Sequence, residues 1–127
     1  MADKSIRFVD SDGNDVLVKV QDNGDGTYSQ GSYDSATPTI YNVTLTNANT
    51  EYSQALPANT RKVAFRCRTA NAIRYAWATG KVATPTAPYA TLASGAEWAA
   101  DGIKLTGKTL YFASPSAGVV VELEVWS

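Results

Sequence analysis

Few residues in this chain could do chemistry, and most fail on spacing or company. There is no histidine in the 127 residues. That removes imidazole-based triads, imidazole zinc ligands and the commonest general base. A single cysteine, Cys67, can build neither a thiolate metal site nor an intrachain disulfide. It alternates with Val63 and Phe65, so it reads as a buried, inert thiol rather than a nucleophile. Asp10, Asp12 and Asn14 imitate the opening of an EF-hand loop. The imitation fails at the next step, because Asp15 stands where the loop needs glycine and no Glu closes it. An acidic β-turn is a simpler reading than calcium ligation. Glu122 and Glu124 lie two apart on one strand face, where a glycosidase could hold a carboxylate. A retaining pair needs its groups about 5 Å apart in a cleft. Same-face glutamates are more simply surface residues, or partners for Arg66, Arg68 or Arg74 on a neighbouring strand. No P-loop or dinucleotide fingerprint is present. The sequence thus predicts no catalytic residue, no metal site, no cofactor and no enzyme.

Four aromatic residues are the remaining candidates. Tyr75, Trp77, Tyr89 and Trp98 could form an aromatic sugar-binding face. Tyr75 and Trp77 share a strand face with Ile73, which predicts that both are core. Trp98 has no such company, and together with Tyr89 it is the candidate exposed aromatic interface.

These side chains must be carried by strands, since no segment shows a sustained helical period. The clearest strand signal is at the C-terminal end. Val119, Val121, Leu123 and Val125 fall on one face, and Val120, Glu122, Glu124 and Trp126 on the other, which marks one buried and one wetter side. Ser114-Pro115-Ser116-Ala117-Gly118 before it is turn chemistry: Pro presets φ and Gly permits φ > 0. Tyr111 and Phe112 supply the bulk of the preceding strand. Alternation also predicts strands over 41–45, 63–67 and 73–77; the chain further offers a short extended piece at 52–56, weak strands at 89–92 and 96–99, and another short strand at 103–105, bracketed by Gly102 and Gly107. Residues 80–88 read as a loop or an edge, because Pro85 and Pro88 cannot donate to a ladder. Roughly eight candidates after residue 39, regularly spaced, predict an all-β, antiparallel, jelly-roll-like β-sandwich over 39–127. Val63, Phe65, Ile73, Tyr75, Val121, Leu123 and Val125 are its expected core.

The first 38 residues have a different texture. Ser5–Val9 and Val16–Val20 read as strands of a short N-terminal β-hairpin arm, with Thr27–Ser29 starting a third strand. The Asn-Gly and Asp-Gly pairs at 23–26 give the strongest short-range hairpin signal. Residues 30–39 read as a linker. The arm has too little apolar area to be stable alone. Ile6, Phe8, Val16, Val18 and Val20 are therefore candidate anchor residues, held by backbone pairing and burial against a neighbour.

Composition bounds the partners. Hydrophobic residues make up 44% of the chain, enough for a packed core, while charged residues at 18% fall below the usual quarter. A net charge of −1 argues against nucleic-acid steering. The charge is uneven: residues 1–40 hold seven acids against three bases, and the rest holds eight bases against five acids. No apolar run approaches the roughly 18 residues needed to cross a membrane, and Met1–Lys4 opens no signal peptide, so assembly in a cytoplasm is expected.

Three stretches carry a family resemblance: VKVQDNGDGTYS (18–29), YNVTLTNANTEYSQALPANTRKVAFRCR (41–68) and GKTLYFASPSAGVVVELEVWS (107–127). They resemble small virion structural proteins of tailed bacteriophages, among them capsid decoration (cement) proteins. The resemblance implies a non-enzymatic protein on the particle surface that stabilises the shell. It also implies assembly as a trimer, with the major capsid protein or another virion protein as partner. The alternative is a tail or head-fibre component that binds host glycan. The resemblance transfers no site residue.

Overall fold

The computed structural model describes residues 36–127 in full and, before them, the backbone of three strands: β1 (Asp3–Val9), β2 (Asp15–Asp22) and β3 (Tyr28–Ser29). The chain divides into two units, Met1–Ser35 and Ala36–Ser127.

In the first unit the strands pair antiparallel in the order β1-β2-β3. The register sets Ile6 opposite Val18, Phe8 opposite Val16 and Lys4 opposite Val20. The five anchor positions thus fall opposite one another or opposite Lys4 in one ladder. Their side chains, and the acidic turn at 10–14, lie outside the described residues.

The second unit contains eight strands: β4 (Pro38–Leu45), β5 (Tyr52–Ala55), β6 (Lys62–Cys67), β7 (Ile73–Ala76), β8 (Ala90–Leu92), β9 (Glu97–Ala100), β10 (Thr109–Ala113) and β11 (Val119–Trp126). They form two antiparallel four-stranded sheets, β4-β11-β6-β9 and β5-β10-β7-β8. The pairings nest: β4 with β11, β5 with β10, β6 with β9 and β7 with β8. The chain runs out through four strands and returns through the next four as one antiparallel ribbon. That ribbon is folded into two layers, and the further pairs β11–β6 and β10–β7 complete one sheet each. This is the jelly-roll arrangement of a β-sandwich.

The alternation in β11 organises the core. Val119, Val121, Leu123 and Val125 are all buried, and β6 and β4 flank them with Val63, Phe65, Val43 and Leu45. Ile73, Leu92, Leu110 and Phe112 face them from the other sheet. All seven expected core residues are in this cluster, six fully buried and Tyr75 packed at its margin. The predicted turn after β10 is present. Gly118 has φ 75° and its N–H donates to the Leu45 carbonyl at 2.8 Å. Ser114, fully buried, ties the turn down by donating from Oγ to the Ala72 carbonyl at 3.0 Å and accepting from the Ser116 N–H at 3.1 Å.

Three expectations need correction. Residues 103–105 form no strand; Leu105 makes only an isolated bridge to Thr60. The stretch read as linker overlaps β4, since Pro38 and Thr39 pair with Trp126 and Val125, and Thr37 and Ser127 exchange two backbone hydrogen bonds. Segment 77–89 is more than a loop or an edge. It folds back over the outer face of the β5-β10-β7-β8 sheet and buries Val82 completely against Ala76 and Ala113. Arg74 pins it, with Nε donating to the Val82 carbonyl at 2.7 Å and Nη2 to the Ala83 carbonyl at 3.3 Å and Asn49 Oδ1 at 2.8 Å. Glu51 holds its start by accepting from Thr79 Oγ1 at 2.7 Å and from the Gly80 N–H at 2.9 Å.

Candidate functional site

A two-layer sandwich leaves its sides open, where the last strand of each sheet has a partner on one side only. On one side β4 and β5 adjoin. On the other, β9 and β8 end their respective sheets. The gap there is filled by large rings. Register places Trp98 of β9 beside Phe65 of β6, and the two rings stack at 5.1 Å with 27° between planes. Tyr75 meets Phe65 edge-on from the opposite sheet at 5.0 Å and lies 5.9 Å from Trp98. Trp77, one residue past β7, packs against Trp98 at 6.3 Å and 64°. Tyr89, one residue before β8, completes the set.

All four aromatic candidates therefore line one groove of about 320 Å³, with Pro88, Ala76, Ala78 and Ala90 between them. Its size is at the lower end of small-ligand sites, which run to about 300–1,000 Å³. The rings divide into two kinds. Tyr75 and Trp98 are half-buried and braced by Phe65. Trp77 and Tyr89 are each 40% exposed. Trp77 is thus not the core residue that its phase with Ile73 and Tyr75 predicts, because the strand ends at Ala76 and the alternation ends with it. Trp98 forms the floor of the groove, while Tyr89 is at its open surface. No charged residue is among the described residues that line it.

The other candidates are placed elsewhere. Glu122 is on the outer face of the β4-β11-β6-β9 sheet, bridged by Arg68 Nε at 3.3 Å and Arg66 Nε at 3.7 Å. The expected pairing with Arg66 and Arg68 is therefore present, whereas Arg74 belongs to the other sheet. Two guanidinium groups hold this carboxylate, with Glu97 and Glu124 near it on the same open face. Glu124 is exposed on the same face, beside Ile40 and Ala64 in the register. A shallow depression of about 280 Å³ lies there. Cys67 is half-buried rather than buried, and burial pushes its thiol pKa up from the ordinary value, which disfavours the nucleophilic thiolate.

The run of bases at 61–81 is not one patch. Lys62 lies over the Trp126 ring at 4.7 Å, Arg66 and Arg68 hold Glu122, and Arg74 and Lys81 bond carbonyls of segment 77–89. The described residues contain no cluster of three or more His, Cys, Asp or Glu side chains that could hold a metal ion. No helix among them is long and apolar enough to cross a membrane.

No protein-family model matches the sequence, and no curated protein matches it at a significant level.

Proposed function

We propose that this chain is a non-enzymatic structural protein of a tailed-phage particle, acting as a capsid decoration protein that binds the assembled shell and stabilises it. One observation carries the reading: the chain divides into an eight-stranded sandwich with its own core and a separate three-stranded unit of 35 residues. With a third strand of only two residues, this sheet is close to a lone β1–β2 hairpin, which is marginal without something to lie against. A shell protein or a neighbouring copy can supply that surface by strand pairing and apolar burial. The phage-like texture of residues 18–29, 41–68 and 107–127 supports the same reading. The partner is then the major capsid protein or another virion protein, and the protein resides on the particle surface as a trimer. Composition of the purified particle tests this. Copies approaching the number of shell subunits fit decoration, while a few copies per particle place the chain at the tail or a vertex.

The aromatic groove favours a second reading, a tail or head-fibre component that binds host glycan. Four rings converge on a small concave surface that the core does not require to be open. Capsid decoration leaves such a surface without a purpose. Glycan attachment supplies one.

A further inference from the structure

The groove can be assigned a ligand class, an inference that rests on the glycan reading. We propose that it holds a neutral hexopyranose ring of a glycan, stacked on Trp77 with Tyr89 as second contact, and that Trp98 serves as a positioning residue beneath them.

Charge argues against the acidic sugars. No Lys or Arg is among the described residues lining the groove, so a carboxylated sugar would give up its hydration without a partner. A neutral pyranose carries an apolar C–H face that covers an aromatic ring and a hydroxyl rim that stays in water. That division matches rings that are each 40% exposed.

Ring placement argues against a quaternary ammonium group. Such a cation is held by aromatic faces around it, each within about 6 Å. Here Trp77 and Tyr75 pack against Trp98, at 6.3 and 5.9 Å, so three of the four rings form one wall. Tyr89 alone stands apart from it, so ring faces do not surround a gap on several sides.

A protein partner fits less well on area. A stable interface buries about 800 Å² on each side. Ile40, Trp77 and Tyr89 are the large hydrophobic residues exposed among those described, and Ile40 belongs to β4, an edge strand at the opposite side of the sandwich. Two rings suit one or two sugar units.

The brace explains why the platform is rigid. Trp98 is stacked on Phe65, which is itself 1% exposed, so the wall behind Trp77 is fixed by the core. Binding to a preformed surface loses less ordering entropy.

The experiment is a titration of the full chain, followed by indole N–H resonances. The three tryptophans supply the readout and its control. Trp77 and Trp98 line the groove, whereas Trp126 lies under Lys62 on another face. The probes are cellobiose, lactose, maltose and chitobiose as neutral glycans, sialyllactose and a galacturonic acid disaccharide as acidic ones, and choline chloride. The expected result is saturable movement of the Trp77 and Trp98 signals, but not of Trp126, with at least one neutral disaccharide. Trp77→Ala and Tyr89→Ala should each weaken that binding about tenfold, equivalent to about 1.4 kcal/mol. Trp77→Phe should restore part of it. Because both residues are exposed, retained dispersion of the Trp126 signal will show that the variants fold. Binding of acidic sugars alone, lost in Trp77→Ala, would keep the glycan reading and overturn the neutral class. Binding of choline alone, or of no probe, would overturn both. Saccharide binding that survives both alanine variants would overturn the assignment to this groove.

Discussion

Truncating Phe65 to alanine should remove a large part of the sandwich's stability. Its side chain is 1% exposed and touches three rings, Tyr75, Trp98 and Phe112, with centroids at 5.0, 5.1 and 5.2 Å. Two of those partners come from the opposite sheet, so Phe65 joins the layers as well as filling the space between them. Lost transfer energy and the cavity left behind amount to about 3–5 kcal/mol for a buried Phe→Ala change. Aromatic pairs add about 0.5–1.5 kcal/mol each beyond burial, which places Phe65→Ala toward the upper end. Phe65→Leu keeps most of the volume and should cost about 1–2 kcal/mol. Domains of this kind have a total stability of about 5–15 kcal/mol, so the alanine variant should be visibly marginal. The assay is urea unfolding followed by tryptophan fluorescence, since Trp77, Trp98 and Trp126 all report from the sandwich. The midpoint should fall with an unchanged slope. A loss below about 1 kcal/mol would refute the reasoning, because it would mean that Phe65 is not the centre of the inter-sheet contact. A double-mutant cycle with Trp98→Ala should give a coupling of about 0.5–1.5 kcal/mol; zero coupling would show that the groove floor does not rest on the core.

Other variants separate the remaining interactions. Arg74→Met removes two hydrogen bonds that pin segment 77–89 and a third to Asn49. It should speed amide hydrogen exchange in that segment and cost about 2 kcal/mol in urea unfolding; unchanged exchange would show that Val82 alone holds it. Glu122→Gln should cost less than about 1 kcal/mol, since its two arginine partners are more than half exposed; a larger loss in the same unfolding assay would contradict a surface role. Burial raises the Cys67 pKa in the folded state. The contribution of the neutral thiol is therefore complete below the ordinary value near 9.0 and is lost as pH rises through the folded value. Stability measured across that range should fall more steeply for the native chain than for Cys67→Ser, and equal slopes would contradict the assignment.

The sequence was legible wherever period-2 alternation ran the full length of a strand. The β11 pattern and the 63–67 pattern defined the core face because each of these strands has one buried and one open side. The turn at 114–118 was legible because Pro and Gly act locally. Trp77 was misplaced because it continues the phase of Ile73 and Tyr75 beyond the point where the ladder stops. Val82 is not legible because it is a lone aliphatic residue among Thr, Pro and Ala, and part of its burial comes from Ala113, far along the chain. Tyr75, Trp77, Tyr89 and Trp98 could be named as a possible sugar-binding set. Their convergence could not be read, since it depends on β9 and β8 ending the two sheets on the same side. That follows from non-local pairing, which local patterns do not encode.

On the reading proposed above, the sandwich folds by itself and the first unit attaches it to the particle. Co-sedimentation with undecorated shells tests this most directly, comparing the full chain with a truncated form that starts at Ala36. The cut must spare Thr37, which is hydrogen-bonded to Ser127, and Pro38, which faces Trp126 in the ladder. Residues 36–127 should unfold with the same midpoint as the full chain yet fail to sediment with shells that the full chain saturates. If the truncated sandwich binds the shells as well as the full chain, the anchor lies in the sandwich and the account is wrong.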